Sequence, residues 1–390
     1  VESSISFKPT MAGDFAWESN TVTFTPDESW KKGSTVEVLL ADGMRSEFGL
    51  ELRNNPGLFK FQVENQSLLY LSPASEYADI HIIDPISGNG QQLTNHQAVL
   101  DFSPHPNGEL IYYTIRNAVD GTDLYIYDRR SATSSIVLDC GNVRCSQVEV
   151  IVQGNGLAFT RQEPGGLPEI WLMDTESLEA ERLSEEGEHS QTPTWSGEEW
   201  LAYYNLSRQE YVLVSLVDFT EYSFDNQTGE HGTWSGEVFI APELIKLDNL
   251  PYDPAPGLDD YFTSHLIGFN TNRQTYKDLS GDAAVEDTNP ESSPDGNWLA
   301  FTRKYQDPAA WQLGRQLWLM RSNGSNPIPL ADMPDHRILG IAWRPDSKQI
   351  AFVRFEQTTI IEPPEIWLIT LDGEEAFRIV VDAYAPAWLP

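Results

Sequence analysis

Acids and aromatic rings are the residues of this chain best equipped for chemistry, and their spacing narrows what that chemistry is. In the loop NAVDGTD, residues 117–123, Asp120 and Asp123 could lend oxygens to a calcium ion. Asp259 and Asp260 form a second acidic pair. Calcium takes about six to eight oxygens, and neither loop has the full ligand spacing of a known calcium loop. Calcium therefore stands as an open expectation, and no other cofactor is expected. Cys140 and Cys145 flank a Gly-Asn turn in LDCGNVRCSQ, which suits a small disulfide loop. Closing so short a loop contributes about 2 kcal/mol in chain-entropy terms. A disulfide implies an oxidising, extracytoplasmic compartment. Two cysteines with no nearby His pair do not make a zinc site.

Signatures of catalysis do not appear. GTWSG, residues 232–236, lacks the spacing of a nucleophile elbow. There is no HExxH, no Walker loop and no GxGxxG. His189 and His231 read as equivalent points of a repeat, not as metal ligands. A protein without enzyme activity is the expectation at this level.

The elements that must position these residues come from a repeat. TWSGE occurs at 194–198 and again at 233–237, a period of about forty residues. The longer unit reads TPTWSGEEWLAYYN (192–205), TNPESSPDGNWLAFTRK (288–304) and LGIAWRPDSKQIAFVRF (339–355). Each has an apolar segment, a turn rich in Pro, Asp, Asn and Gly, then an alternating run, which is two strands joined by a tight hairpin. A third strand follows, as in EIWLMDT from Glu169 and QLWLMRS from Gln316, and then a short fourth. Seven such four-stranded units, each too small to bury a core alone, predict an all-β, seven-bladed β-propeller. The last segment, YAPAWLP (384–390), reads as a first strand with nothing after it, whereas the unit at QSLLYLSP (from Gln66) lacks one. The C-terminal strand should close the ring, and Trp195 and Trp234 should be core positions.

The turn SPDG (293–296), followed by WLAF and LWLMRSNGSN, resembles the TolB-type, or PD40, WD40-like propeller repeat of bacterial envelope proteins. The resemblance covers about 64–390 and implies a fold more than a function. TolB itself has six blades where seven are counted here. Propeller peptidases carry a hydrolase domain after the ring, and this sequence leaves no room for one. Residues 1–63 lack the repeat and read as short alternating strands. They resemble a partial bacterial Ig-like domain, a β-sandwich fragment whose open edge could take a strand from a second copy. The domain reading is thus 1–63 and 64–390.

Charge and insertions bound the partners. With 25 Lys+Arg against 59 Asp+Glu, the net charge is −34. Nucleic acid and anionic lipid, which need a basic footprint, are not expected partners. No apolar run reaches the ~18 residues of a membrane span. The chain begins at Val1, so nothing follows from the lack of a signal segment. The extra residues of the late units lie between second and third strands, at 242–263, 304–315 and 355–365. In a propeller these connections share one face, and such insertions often mark a binding face. Tyr252, Tyr261, Tyr305, Trp311, Ile360 and Ile361 stand there, and Trp and Tyr are common interface anchors. The sequence thus points to a non-enzymatic, extracytoplasmic protein-binding or scaffolding module of the cell envelope. The alternatives are a carbohydrate-binding surface module, using Trp311 and Tyr305, and an enzyme acting on glycans or peptides through channel carboxylates. A clustered carboxylate pair with a raised pKa would favour the enzyme.

Overall fold

The computed structural model describes residues 2–18, 21–27, 30–31, 33–41, 57–63, 66–247, 261–281, 284–307, 309–357, 362–371 and 375–389. The chain is all-β apart from two short 3-10 turns among the described residues. It divides into two compact units, Val1–Gln66 and Ser67–Pro390.

The first unit holds a three-stranded sheet, with Thr35–Leu40 between Ile5–Lys8 and Leu58–Gln62, and a separate hairpin of Gly13–Glu18 with Thr21–Pro26. Alternation puts Phe7, Phe15, Phe24 and Trp30 into one aromatic cluster with ring centroids 4.2 to 6.5 Å apart.

The second unit repeats one pattern: four antiparallel strands paired in sequence order. Ser190–Trp195, Trp200–Asn205, Glu210–Ser215 and Glu221–Asp225 form one such sheet. Val285–Ser292, Trp298–Tyr305, Gln316–Arg321 and Ile328–Ala331 form another, and His336–Trp343 opens the next. The sheets opened by Val99–Pro104 and Arg144–Ile151 are joined by one parallel pair, Thr122 with Arg144. The Cys140–Cys145 disulfide sits at that junction. The remaining sheet takes its first strand from the far end of the chain. Tyr384–Trp388 pairs with Leu68–Ser72, as the unmatched ends of the sequence require.

The first strands touch one another in succession, from Val99–Pro104 round to Tyr384–Trp388, which touches Val99–Pro104 in turn. Their outer faces and the second strands supply the core. Leu157, Leu201, Leu299 and Ile350 occupy one repeated second-strand position and are fully buried. Trp234 is buried as well, and Trp195 packs against the core cluster of Leu201 and Tyr203.

One expectation is corrected. Residues 242–263 read as a loop, but the hairpin runs on. Val238–Leu247 and Tyr261–Asn270 are both ten-residue strands paired through Leu247 and Tyr261. The run VFIAPELIKL carries enough β-branched and aliphatic residues to keep pairing beyond the core. The turn at 248–260 lies outside the described residues.

Candidate functional site

The inner wall of the ring is built by the last residues of each first strand. Register defines one repeated position: Ser103 faces Tyr112, Glu149 faces Ala158, Thr194 faces Ala202, Glu291 faces Ala300, and Ala342 faces Ala351. Two residues earlier the ladder breaks, and Gln147, Thr192, Asn289, Gly340 and Ala385 take positive φ values of 49 to 57°. These bulges pinch the strand and turn a side chain toward the axis. Four of them are not glycine, a strained state kept where the surroundings enforce it.

Hydrogen bonds between neighbouring sheets do that enforcing. The Asp101 carboxylate accepts the N–H groups of Gln147 (2.8 Å) and Val148 (3.1 Å) from the next first strand, and also the Thr114 hydroxyl. Burial, the largest influence, raises the Asp101 carboxyl above the ordinary carboxylate range despite those bonds. Gln147 Oε1 accepts the Thr192 N–H at 2.9 Å, and Glu149 Oε1 accepts that of Trp195 at 3.5 Å. In the other direction, Trp234, Trp343 and Trp388 donate their indole N–H groups to the carbonyls of Thr194, Glu291 and Ala342 in the preceding first strand. The repeated Trp of TWSGE therefore seals one sheet to the next.

Within this wall three side chains form a site. His231 Nε2 lies 3.5 Å from Glu291 Oε1. Glu149 belongs to Arg144–Ile151 and Glu291 to Val285–Ser292, and the Glu149 carboxylate interacts electrostatically with both Glu291 and His231. The His231 side chain is 53% exposed and that of Glu291 30%. Burial pushes the Glu149 carboxyl up to about 7, and the charge of Glu291 adds to the rise. Burial also pulls His231 down, but the hydrogen bond and charge of Glu291, with the charge of Glu149, outweigh it and leave His231 above its ordinary value. A carboxyl raised toward neutrality, coupled to an imidazole whose pKa a second carboxylate raises, has the composition of an acid–base pair.

Reading the sequence had set His231 aside as the equivalent of His189. The register shows otherwise. His231 stands two residues before Thr233, as Thr192 stands two before Thr194, so it matches Thr192, just before the axial position. His189 lies further back and bonds Gln191 at 3.2 Å. Counting back from the repeated Trp would have separated the two.

The residues expected to act are placed as follows. Cys140 and Cys145 are bonded. Asp120 is 96% exposed, 3.6 Å from Arg144, while Asp123 is buried and accepts hydrogen bonds from Asn117 Nδ2 and the Cys140 N–H. The two acids face different partners. Among the described residues no three His, Cys, Asp or Glu side chains converge as a metal site. Trp311 is 52% exposed, with Lys304 Nζ 4.6 Å from its ring centre. Tyr305 packs edge-on against Trp318 at 5.9 Å. Tyr261 pairs with Leu247 in the extended hairpin. Tyr252, Ile360, Ile361, Asp259 and Asp260 lie outside the described residues. No helix among the described residues is long and apolar enough to cross a membrane.

No family model matches the chain. No curated protein matches it either. Solved structures do. The chain is similar to TolB from Acinetobacter baumannii, with a TM-score of 0.50 and 12% identity over 93% of this chain and 81% of that one. It is similar to the β-propeller domain of the Trilobed protease from Pyrococcus furiosus, with a TM-score of 0.53 and 13% identity over 90% and 93%. An oligogalacturonate lyase in complex with manganese reaches 0.55 and 13% over 75% and 83%. Identities this low establish the fold alone. They also overturn the expectation of a protein without enzyme activity, because the same fold serves a protease and a lyase. A missing linear motif carries no weight where acids gather from separate sheets. The structural neighbours of this chain are TolB-like and other WD40-like β-propellers.

Proposed function

We infer that this chain is a seven-bladed propeller, over about 64–390, whose axis carries an acid–base site acting on a glycan or a peptide. The reading rests on Glu149, raised to about 7 and coupled electrostatically to His231 and Glu291, which lie 3.5 Å from each other. Near neutral pH Glu149 is half ionised, which is where a general base is most effective. Its carboxylate takes the proton of an attacking water or of an acidic carbon. The His231 imidazolium, kept charged by Glu291, gives a proton to the departing oxygen or nitrogen. The disulfide supports an extracytoplasmic setting. The N-terminal strands are consistent with a partial Ig-like domain at 1–63.

A second reading, a protein- or carbohydrate-binding module of the cell envelope, draws on the exposed Trp311 and its Lys304 neighbour, and on the likeness to TolB. The two readings part in one experiment. Oligosaccharide and peptide libraries are incubated with the protein between about pH 5 and 9, and products are followed by mass spectrometry. The acid–base reading expects turnover that falls about 10²- to 10⁴-fold in Glu149→Gln, with the fold intact by circular dichroism. No turnover of either class, or turnover indifferent to Glu149→Gln and His231→Asn, would overturn it.

A further inference from the structure

Two arginines stand out in a chain this acidic. The segment Gly314–Gln316 of one sheet is locked onto the first strand of the next. A Cβ on Gly314 would lie 1.9 Å from the His336 carbonyl oxygen, so only glycine permits the approach. The Ile338 N–H donates to the Arg315 carbonyl at 3.2 Å. Gln316 Nε2 donates to the carbonyls of Met333 (3.0 Å) and His336 (3.2 Å). This lock fixes Arg315 beside Arg337, like charge beside like charge. The backbone, not the attraction of the side chains, chooses the arrangement.

Their partners are incomplete. Arg315 Nη2 binds Glu286, while its Nε is buried without a partner. Arg337 is half-buried, its Nε is also unpartnered, and among the described residues its side chain forms no hydrogen bond or ion pair. Arg337 and Glu286 occupy one register position on adjacent first strands, each five residues before the axial position filled by Ala342 and Glu291. Glu230, next to His231, is close enough to respond to both arginines. Burial and the Arg315 charge push the Arg337 guanidinium down from its ordinary value, against the opposing charges of Glu230 and Glu286. Register puts Glu286 and Arg337 at the end of their sheets where second and third strands connect, the end that carries the long insertions.

We propose that Arg315 and Arg337 bind a carboxylate of the ligand at the mouth of the ring. A planar carboxylate matches the guanidinium fork, and it would pair with the terminal Nη groups of Arg337, since both Nε atoms are buried. The ligand is therefore an organic acid: the uronate of an acidic oligosaccharide or the free C-terminus of a peptide. This deepens the acid–base reading, since the mouth leads to the same axis, but its test is binding and needs no turnover.

Calorimetric titration of the full chain with a uronate trisaccharide and with an N-acetylated tripeptide supplies the two arms. Each is paired with its neutral counterpart, the methyl ester or the C-terminal amide. One free acid should bind at least about tenfold more tightly than its neutral form, and that preference should vanish in Arg337→Gln. It should persist in Glu149→Gln, so that a failure of the acid–base reading would leave it standing. Arg337→Lys, which keeps the charge but not the fork, should recover only part. If neither acid is preferred, or if the preference survives Arg337→Gln, the proposal is wrong.

Discussion

Trp388→Ala is expected to lower the unfolding free energy of the ring by about 3–5 kcal/mol, as a truncated buried Trp does. Trp388 is 7% exposed, although only Leu389 follows it among the described residues. It pairs with Leu68 and packs with Tyr70, Ala351 and Val353, and so belongs to two sheets distant in sequence. Its indole N–H reaches the Ala342 carbonyl at 3.2 Å. Next to it the Leu389 N–H binds the Ser67 carbonyl at 3.0 Å. Trp388→Phe keeps most of the packing and loses the hydrogen bond, so it should cost only about 1 kcal/mol. Urea denaturation of both variants reads the difference. A loss under about 1 kcal/mol for the alanine variant would mean that the C-terminal strand does not close the ring.

The second large effect concerns Arg303 and Asp287. Arg303 Nε and Nη2 both bind Asp287 at 2.7 Å, with 3% and 0% of the two side chains exposed. The guanidinium also lies over Phe301 and Trp318, 5.1 Å from each ring centre. Arg303→Met leaves a buried carboxylate without its cation and should destabilise by about 3–5 kcal/mol. The double variant Arg303→Met/Asp287→Leu removes both charges and should regain most of that loss. If the double variant is no more stable than the single one, the pair is not the source of the cost.

Much of the fold was legible because it is written in local terms. Turn residues between alternating runs recur in each sheet, and the surplus strand at one end matches the missing strand at the other. The extended hairpin was missed because its apolar alternation was broken by Pro242 and Glu243, which pair with Leu266 and His265 all the same. The site was less legible. Glu149 and Glu291 occupy one register position in different sheets, but nothing local in the sequence sets them apart from 59 acids. Their meeting depends on closure of the ring. His231 was misread because the Glu-His pairs at 188–189 and 230–231 look alike, while they stand at different distances before the repeated Trp195 and Trp234. The arginine mouth was invisible for the same reason: Arg315 and Arg337 come together only through the Gly314 contact.

The most direct test is the titration of Glu149 itself. The structure predicts a carboxyl that takes up its proton near pH 7, well above the ordinary 4.5. A raised carboxyl adds stability that is full below its unfolded value and is lost as pH climbs through the folded one. Between about pH 4.5 and 7 that loss amounts to about 3 kcal/mol, and Glu149→Gln should flatten the slope. His231, also raised, acts in the same sense. Carbon NMR of glutamate-labelled protein follows the carboxyl directly, with Glu149→Gln to assign the signal. A resonance with a midpoint near 7 that is lost in Glu149→Gln and moves down in Glu291→Gln is the predicted result. If every glutamate signal titrates in the ordinary carboxylate range, the axial acid–base site does not exist.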